Sequence, residues 1–446
     1  MSPKRQDEAG TDPYVPGHGD ATFAVRHYDL ELDYRMSSNR LVGRARLEVT
    51  TRRSVGRLEL DLAGGLTVAK VTVGRRAAKY QHRGDRLRIA LPDDVAKGTD
   101  LEVVVRYAGN PTPLKSDWGS VGWEELEDGV IVASQPSGAP SWYPCNDHPR
   151  DKATYAITVI ADSPYTVIAN GTLRSRKSSG SRTTWRYEQP EPMASYLAAV
   201  HVGQYDVIEV PGDGGRQRAA LPNGLRERFT TDFGRQPAMM RLFEELFGPY
   251  PFGHYTVVVT ADDLEIPLEA QGMSTFGANY VDGKRTEERL VAHELAHQWF
   301  GNSLTVGNWR DIWLNEGFAC YAEWLWAARA DDVPIEESVR KHHQRLARLD
   351  QDFAIADPGP ELMFDDRLYK RGAVTLHAIR CALGDETFFD MLRDWVATHR
   401  HGNVTTELFR EHVRGFHRGE GVDELFSAWL VDTDLPPLPT PERRAS

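Results

Sequence analysis

The sequence predicts an α+β chain: an antiparallel β-rich N-terminal part followed by a mainly helical part. Two observations carry this reading. Apolar residues recur with period two as far as about residue 210 and with helical spacing beyond it, and the segment PGDGGRQRAALPNG at 211–224 separates the two patterns. With 446 residues, 40% of them hydrophobic and 26% charged, the chain has enough apolar material for a substantial core.

The elements follow in order. Residues 1–20 are rich in Gly, Pro and charge and read as a flexible leader. Tyr28, Leu30, Leu32 and Tyr34 then share one face of a strand, and Leu58, Leu60 and Leu62 repeat the alternation. Leu101, Val103, Val105 and Tyr107 continue it, with GG, RGD and PDD clusters as turns between. Further alternation at 156–160 and 181–187 extends an N-terminal β domain over residues 21–210. Past the boundary, Met239, Leu242, Phe243, Leu246 and Phe247 form the apolar stripe of a helix that stops at Gly248 and Pro249. A short strand at 255–260 and successive helices complete a second domain, residues 211–435, and 436–446 read as a flexible Pro-rich tail.

Fifty-three Lys plus Arg against 65 Asp plus Glu give a net charge of −12, a mean field that repels phosphate backbones and predicts no nucleic-acid partner. Cys145, Cys320 and Cys381 are too few, and odd in number, for a disulfide framework, which suits a reducing compartment. The first twenty residues lack the apolar core of a secretory signal, and no stretch approaches about 18 uninterrupted apolar residues. The expectation is a cytoplasmic chain without a membrane partner. Nothing in the pattern bears on oligomeric state.

The chemistry concentrates in TEERLVAHELAHQWFGN. His293 and His297, four apart, share a helix face and can converge on one cation, while Glu294 sits beside them where it can act on a water. Thr286 is the N-cap candidate of that helix and Gly301 its stop. A catalytic zinc needs a third protein ligand and an open position. In WRDIWLNEGFACYAEWLW, Glu316 follows His297 after eighteen intervening residues, a separation that allows a turn and an antiparallel return. One zinc ion per chain is therefore expected on His293, His297 and Glu316. Glu323, two helical turns beyond Glu316 on the same face, is the leading candidate to hold a zinc histidine by its other nitrogen, ahead of Asp311. Trp299, Phe300, Trp313, Trp324 and Trp326 read as core, and Cys320 as a small buried hydrophobe.

Over nearly the whole chain these residues resemble the aminopeptidase N and leukotriene hydrolase type of zinc metallopeptidases. HELAHQWFGN and WLNEGFACYAE are similar to that family's two zinc helices, which implies Glu294 as general base. YKRGA at 369–373 is similar to the family's YEKGA element, which implies that Tyr369 donates a hydrogen bond to the oxyanion of the transition state. IPLEAQGM at 266–273 stands where the family has GAMEN and keeps only the glutamate, so the resemblance implies Glu269 as the anchor of the substrate's α-ammonium. SQPSGAPSWYPCNDHPRDKATY resembles the segment ending in FPCxDxPxxKATF, and Gln135, ten residues before Cys145, stands where many members carry a second amine-binding glutamate. A neutral amide there still accepts from an ammonium but forfeits the charge-assisted part of the contact.

The resemblance implies a saddle-like β domain and a thermolysin-like zinc domain, in a short form without the large helical C-terminal domain of the long members and with a more open cleft. The implied activity is hydrolysis of N-terminal residues from peptides with a free N-terminus. An endopeptidase or an epoxide hydrolase would use the same zinc. A non-catalytic peptide binder would keep the fold.

Overall fold

Strand Phe23–Arg35 shows how the pattern becomes structure in the computed structural model, which describes residues 11–212, 216–417 and 421–439. Tyr28, Leu30, Leu32 and Tyr34 are fully buried on one face, while the intervening residues face outward. Around this strand an eight-stranded sheet runs in the order Thr172–Ser179, Arg182–Met193, Ala153–Asp162, Phe23–Arg35, Arg40–Thr51, Asp100–Gly109, Leu66–Val73, Arg76–Ala77. Pairing is antiparallel at every step except one. Phe23–Arg35 runs parallel to Ala153–Asp162, so the expected all-antiparallel arrangement is corrected there. More than a hundred residues separate the two strands, and no hairpin turn constrains their direction.

The described residues fall in two compact units, one within Met1–Val210, Gly214–Arg226 and Phe252–Asn279, the other within Pro211–Asp213, Glu227–Pro251 and Tyr280–Ser446. The first holds the larger β sheets, and a two-stranded pair, Thr305–Val306 with Asn403–Val404, lies in the second. The first unit extends past residue 210 because Asp206–Glu209 pairs with Gln217–Leu221, which runs parallel to Tyr255–Val259, itself parallel to Met273–Phe276. Its core is aromatic: Tyr28 stacks on Tyr155 at 4.8 Å and meets Tyr143 edge-on at 5.5 Å. Cys145 and Asp61 exchange two backbone hydrogen bonds, which tie the PCND segment to strand Val55–Asp61.

The second half of the expected leader is ordered structure. Residues 1–10 lie outside the described residues, as do 440–446 of the expected tail. Residues 11–20 are packed, with Tyr14 and Val15 buried. Gly19 N–H donates to Asp61 Oδ2, and His18 Nδ1 lies 3.1 Å from Asp147 Oδ2. Composition misleads here because Gly and charge serve as contacts to a buried carboxylate pair.

The second unit is helical: α1 Arg226–Asp232 (its first residue in the β unit), α2 Gln236–Phe247, α3 Glu288–Ala296, α4 Trp313–Ala330, α5 Ile335–Leu346, α6 Asp366–Leu383, α7 Asp385–Thr398, α8 Thr406–Phe416 and α9 Val422–Phe426 among the described residues. Helix α2 ends at Gly248, at φ 96°, as the sequence predicts. The expected cap at Thr286 is not formed. Its hydroxyl donates instead to Asp282 Oδ2 at 2.6 Å, and α3 starts at Glu288 without a side-chain cap.

Helix α4 is buried from Trp313 to Trp326 and packs on α3 and α6. It meets α6 at Gly317 and Gly372, where a Cβ on either glycine would come within 3.0 Å of the other's Cα. Backbone faces backbone there, so no side chain can yield. Gly372→Ala is expected to destabilise the protein by about 1–3 kcal/mol of overpacking, offset in part by up to about 1 kcal/mol of helix propensity. Calorimetry would read this as a lower unfolding midpoint. A raised midpoint would mean that the two helices separate freely.

Candidate metal centre

Helix α3 carries His293, and His297 at its C-cap continues the same face, ring centroids 4.8 Å apart. The first turn of α4 brings Glu316 to them: its Oε2 lies 3.4 Å from the Nε2 of each histidine. All three residues are buried, and their donor atoms lie within 4.8 Å of one another.

The other ring nitrogen of each histidine is already engaged. His293 Nδ1 donates to Glu323 Oε1 at 2.7 Å, and His297 Nδ1 donates to the Phe300 carbonyl at 3.1 Å. A carbonyl and an ionised carboxylate only accept, so each Nδ1 carries a proton, and in the neutral imidazole the Nε2 lone pair is what faces Glu316. Two such nitrogens and a carboxylate oxygen are the donor types of a catalytic zinc site, with both outer hydrogen bonds in place. The residues therefore fit a metal ion of that kind.

Electrostatics point the same way. Burial pushes the Glu316 carboxyl up, but the charge of His297 and the hydrogen bonds from His293 and His297, both present when the rings are protonated, outweigh it and hold Glu316 below the usual carboxylate range. Burial pushes Glu323 up as well, and the hydrogen bond from His293 with the Lys370 charge brings it below its ordinary value. Burial pulls His293 down, and the hydrogen bonds that the protonated ring donates to Glu316 and Glu323 lift it above. Two ionised carboxylates are thus buried together, a charge that a dication answers.

Glu294 is buried on α3 beside both histidines. Tyr369, on α6, is half-buried, its ring near-parallel to that of His293 with centroids 6.1 Å apart. The helical unit therefore brings His293, His297, Glu316, Glu323 and Tyr369 into one cluster. Asp311 lies elsewhere and accepts from Thr406 N–H and Oγ at the start of α8. Trp299, Phe300, Trp313, Trp324 and Trp326 are core, and Cys320 is buried with Lys370 Nζ 3.3 Å from its sulfur.

Glu269 and Gln135 belong to the β unit. Glu269 sits on strand Leu268–Ala270, opposite Ser274, and Gln135 Nε2 donates to Glu269 Oε1 at 2.7 Å. The sequence treats them as separate contacts, whereas the structure bonds one to the other. Sequence reasoning also missed Phe300, whose contribution is a backbone oxygen that no side-chain pattern encodes. It missed Arg371, which donates to the carbonyls of Ala428, Trp429, Asp432, Thr433 and Asp434 and so anchors the segment 428–434 to α6. The signal was present, since Arg371 falls on the buried side of a helix.

The peptidase M1 N-terminal domain matches residues 24–197 and the peptidase family M1 domain matches residues 232–429. The chain belongs to peptidase family M1. Among its M1 relatives, Aminopeptidase M1 of Arabidopsis thaliana is 28% identical over 346 residues, 70% of this chain and 38% of that protein, so the chain spans well under half of the plant enzyme's length. Leukotriene A-4 hydrolase of Xenopus laevis is 25% identical over 454 residues, 93% of this chain and 72% of the relative. An M1 zinc metallopeptidase from Deinococcus radiodurans superposes with a TM-score of 0.87 at 29% identity, covering 97% of this chain and 99% of that one. A variant of the Deinococcus protein was solved with a Tyr-Ser-Ala substrate bound. Among the described residues no helix of this M1 chain is long and apolar enough to cross a membrane.

Removing the Glu323 carboxylate leaves His293 Nδ1 without its acceptor. Glu323→Ala is expected to lower metal affinity about 10–100-fold, read by competition with a chromophoric chelator. Asp311→Ala, which touches α8 instead, serves as the comparison and should leave that affinity unchanged.

Proposed function

We propose that this M1 chain is a zinc-dependent aminopeptidase that removes N-terminal residues from peptides. The observation that carries the reading is the buried set His293, His297 and Glu316, with both Nδ1 atoms engaged so that each neutral Nε2 faces the carboxylate. The chemistry a zinc ion supplies when bound is that of a Lewis acid toward a carbonyl and a water. His293, His297 and Glu316 hold it, and Glu323 keeps the His293 ring in orientation.

The remaining steps belong to the chain's own side chains. Glu294 takes the proton of the attacking water and returns it to the leaving amine. Its burial keeps bulk water from competing for that proton. Tyr369 donates its hydroxyl to the carbonyl oxygen as negative charge builds there, a contact stronger in the transition state than in the ground state. Glu269 accepts from the α-ammonium of the substrate. Gln135, bonded to Glu269 through its amide nitrogen, orients that carboxylate and turns its own carbonyl oxygen to the same ammonium.

The Tyr-Ser-Ala peptide in the Deinococcus structure supports short peptides with a free amine as the substrate class. The proposed division of labour is an N-terminal β domain, residues 21–210, and a thermolysin-like catalytic domain, residues 211–435. The proposed compartment is the cytoplasm, supported by three cysteines that all remain free thiols.

The decisive experiment compares initial rates on aminoacyl amides and on their N-acetylated counterparts, with and without a chelator. Cleavage of the free-amine substrates alone, lost on chelation, is expected. Equal cleavage of the acetylated series would make the chain an endopeptidase. Glu294→Gln is expected to keep one equivalent of zinc and to lose turnover. Tyr369→Phe should lower kcat by about 10²–10³-fold with little change in KM. A Glu294→Gln variant of normal activity would remove the base assignment.

A further inference from the structure

A cavity of about 380 Å³ opens in the β unit where the outermost strands of three sheets come together: Thr172–Ser179, Thr166–Ala169 and Asp206–Glu209. Its wall is aromatic, with Trp185, Tyr187 and Tyr205 all nearly buried beneath it. Leu173 lies opposite Tyr187 and Arg176 opposite Trp185 in one antiparallel pair, and all four line the cavity. The Arg176 guanidinium stands 4.6 Å over the Trp185 ring.

A second guanidinium, Arg218, reaches the cavity from strand Gln217–Leu221. Arg176, Arg218 and Tyr187 line the same cavity, and although burial raises the Tyr187 phenol, the charges of Arg218 and Arg176 pull it back. Neither guanidinium has a carboxylate partner among the described residues. Asp206 also lines the cavity, so the surplus is a single positive charge. On a chain of net charge −12 that surplus is local and faces a concave, aromatic space. Two exposed apolar side chains, Leu173 and Val207, 36% and 50% exposed, stand at its lining. Their cover would be an apolar body.

We propose that this cavity binds a small organic carboxylate, its anionic head held by Arg176 and Arg218 and its aromatic or branched aliphatic body laid against Trp185, Tyr205 and Val207. The ligand is a monoanion because the surplus charge is one. It is a carboxylate in preference to an inorganic anion because aromatic and aliphatic side chains stand in the wall beside the cations and two guanidinium forks suit a planar head group. No residue of the proposed zinc chemistry takes part, so binding is read without turnover.

The test is isothermal titration of the metal-loaded protein with 3-phenylpropionate, 3-phenylpropionamide and phenyl phosphate. One equivalent of the acid should bind, with the amide weaker by about tenfold or more, the share of a charge-assisted contact. Arg176→Ala and Arg218→Ala, both at exposed positions, should each weaken the acid by about the same factor while the unfolding midpoint stays put. Val207→Glu, which adds a negative charge at a half-exposed position, should abolish binding even if an arginine variant fails to fold. The proposal falls if the acid does not bind at millimolar concentration. It falls equally if acid and amide bind alike, if only phenyl phosphate binds, or if the arginine and Val207 variants leave the dissociation constant unchanged, which would put the acid elsewhere, the metal centre included.

Discussion

Helix α4 carries two ionised carboxylates, Glu316 and Glu323, into the interior of the helical unit, and its surroundings answer that cost. An unpaired buried carboxylate is worth several kcal/mol of penalty. Glu316 meets both imidazoles, and Glu323 meets His293 with the charges of Lys370 and Arg289 nearby. For those partners to reach, α3 and α6 must lie close to α4. The Gly317–Gly372 contact permits this on the α6 side, where two backbones come together without side chains between them. Tyr369 sits one turn before Gly372, so the same close approach that allows the helices to pack also sets the phenol beside His293.

The β unit solves a different problem with similar means. Asp61 and Asp147 are both buried, and the segment around Gly19 and His18 supplies partners to them. Burial pushes the Asp61 carboxyl up, with the Arg86 charge pulling against it, to about 6. The Gln135–Glu269 bond belongs to the same logic. A glutamine beside Glu269 donates a hydrogen bond and adds no second negative charge, where a glutamate would have placed two like charges side by side. On the proposed reading, this chain meets the substrate amine with one oriented carboxylate and one neutral acceptor.

The parts of the site that are local in sequence were legible in it. His293 and His297 at i and i+4, and Glu316 and Glu323 at i and i+7, share faces because a helix turn is a fixed length, and both pairs come together in the structure. Alternation around Tyr28 and Val103 likewise placed the buried faces of the β unit. Local chemistry failed where a residue had a better partner than the one nearest in sequence. Thr286 read as a helix cap because it precedes an apolar run, yet Asp282 takes its hydroxyl. Residues 11–20 read as mobile from composition, yet buried carboxylates distant in sequence hold them.

The sequence by itself determined the periodicities, the metal-ligand spacing and the family resemblance, because each depends on residues within a few turns of one another or on strings matched in order. Tertiary structure alone decided the parallel pairing of Phe23–Arg35 with Ala153–Asp162, the Gln135–Glu269 bond across 134 residues and the clasp of Arg371 on the carbonyls of residues 428–434. These join groups whose separation along the chain carries no geometric information, and a backbone oxygen is the same atom whatever residue bears it. Only packing, by choosing which strands and helices become neighbours, could say which of them would meet.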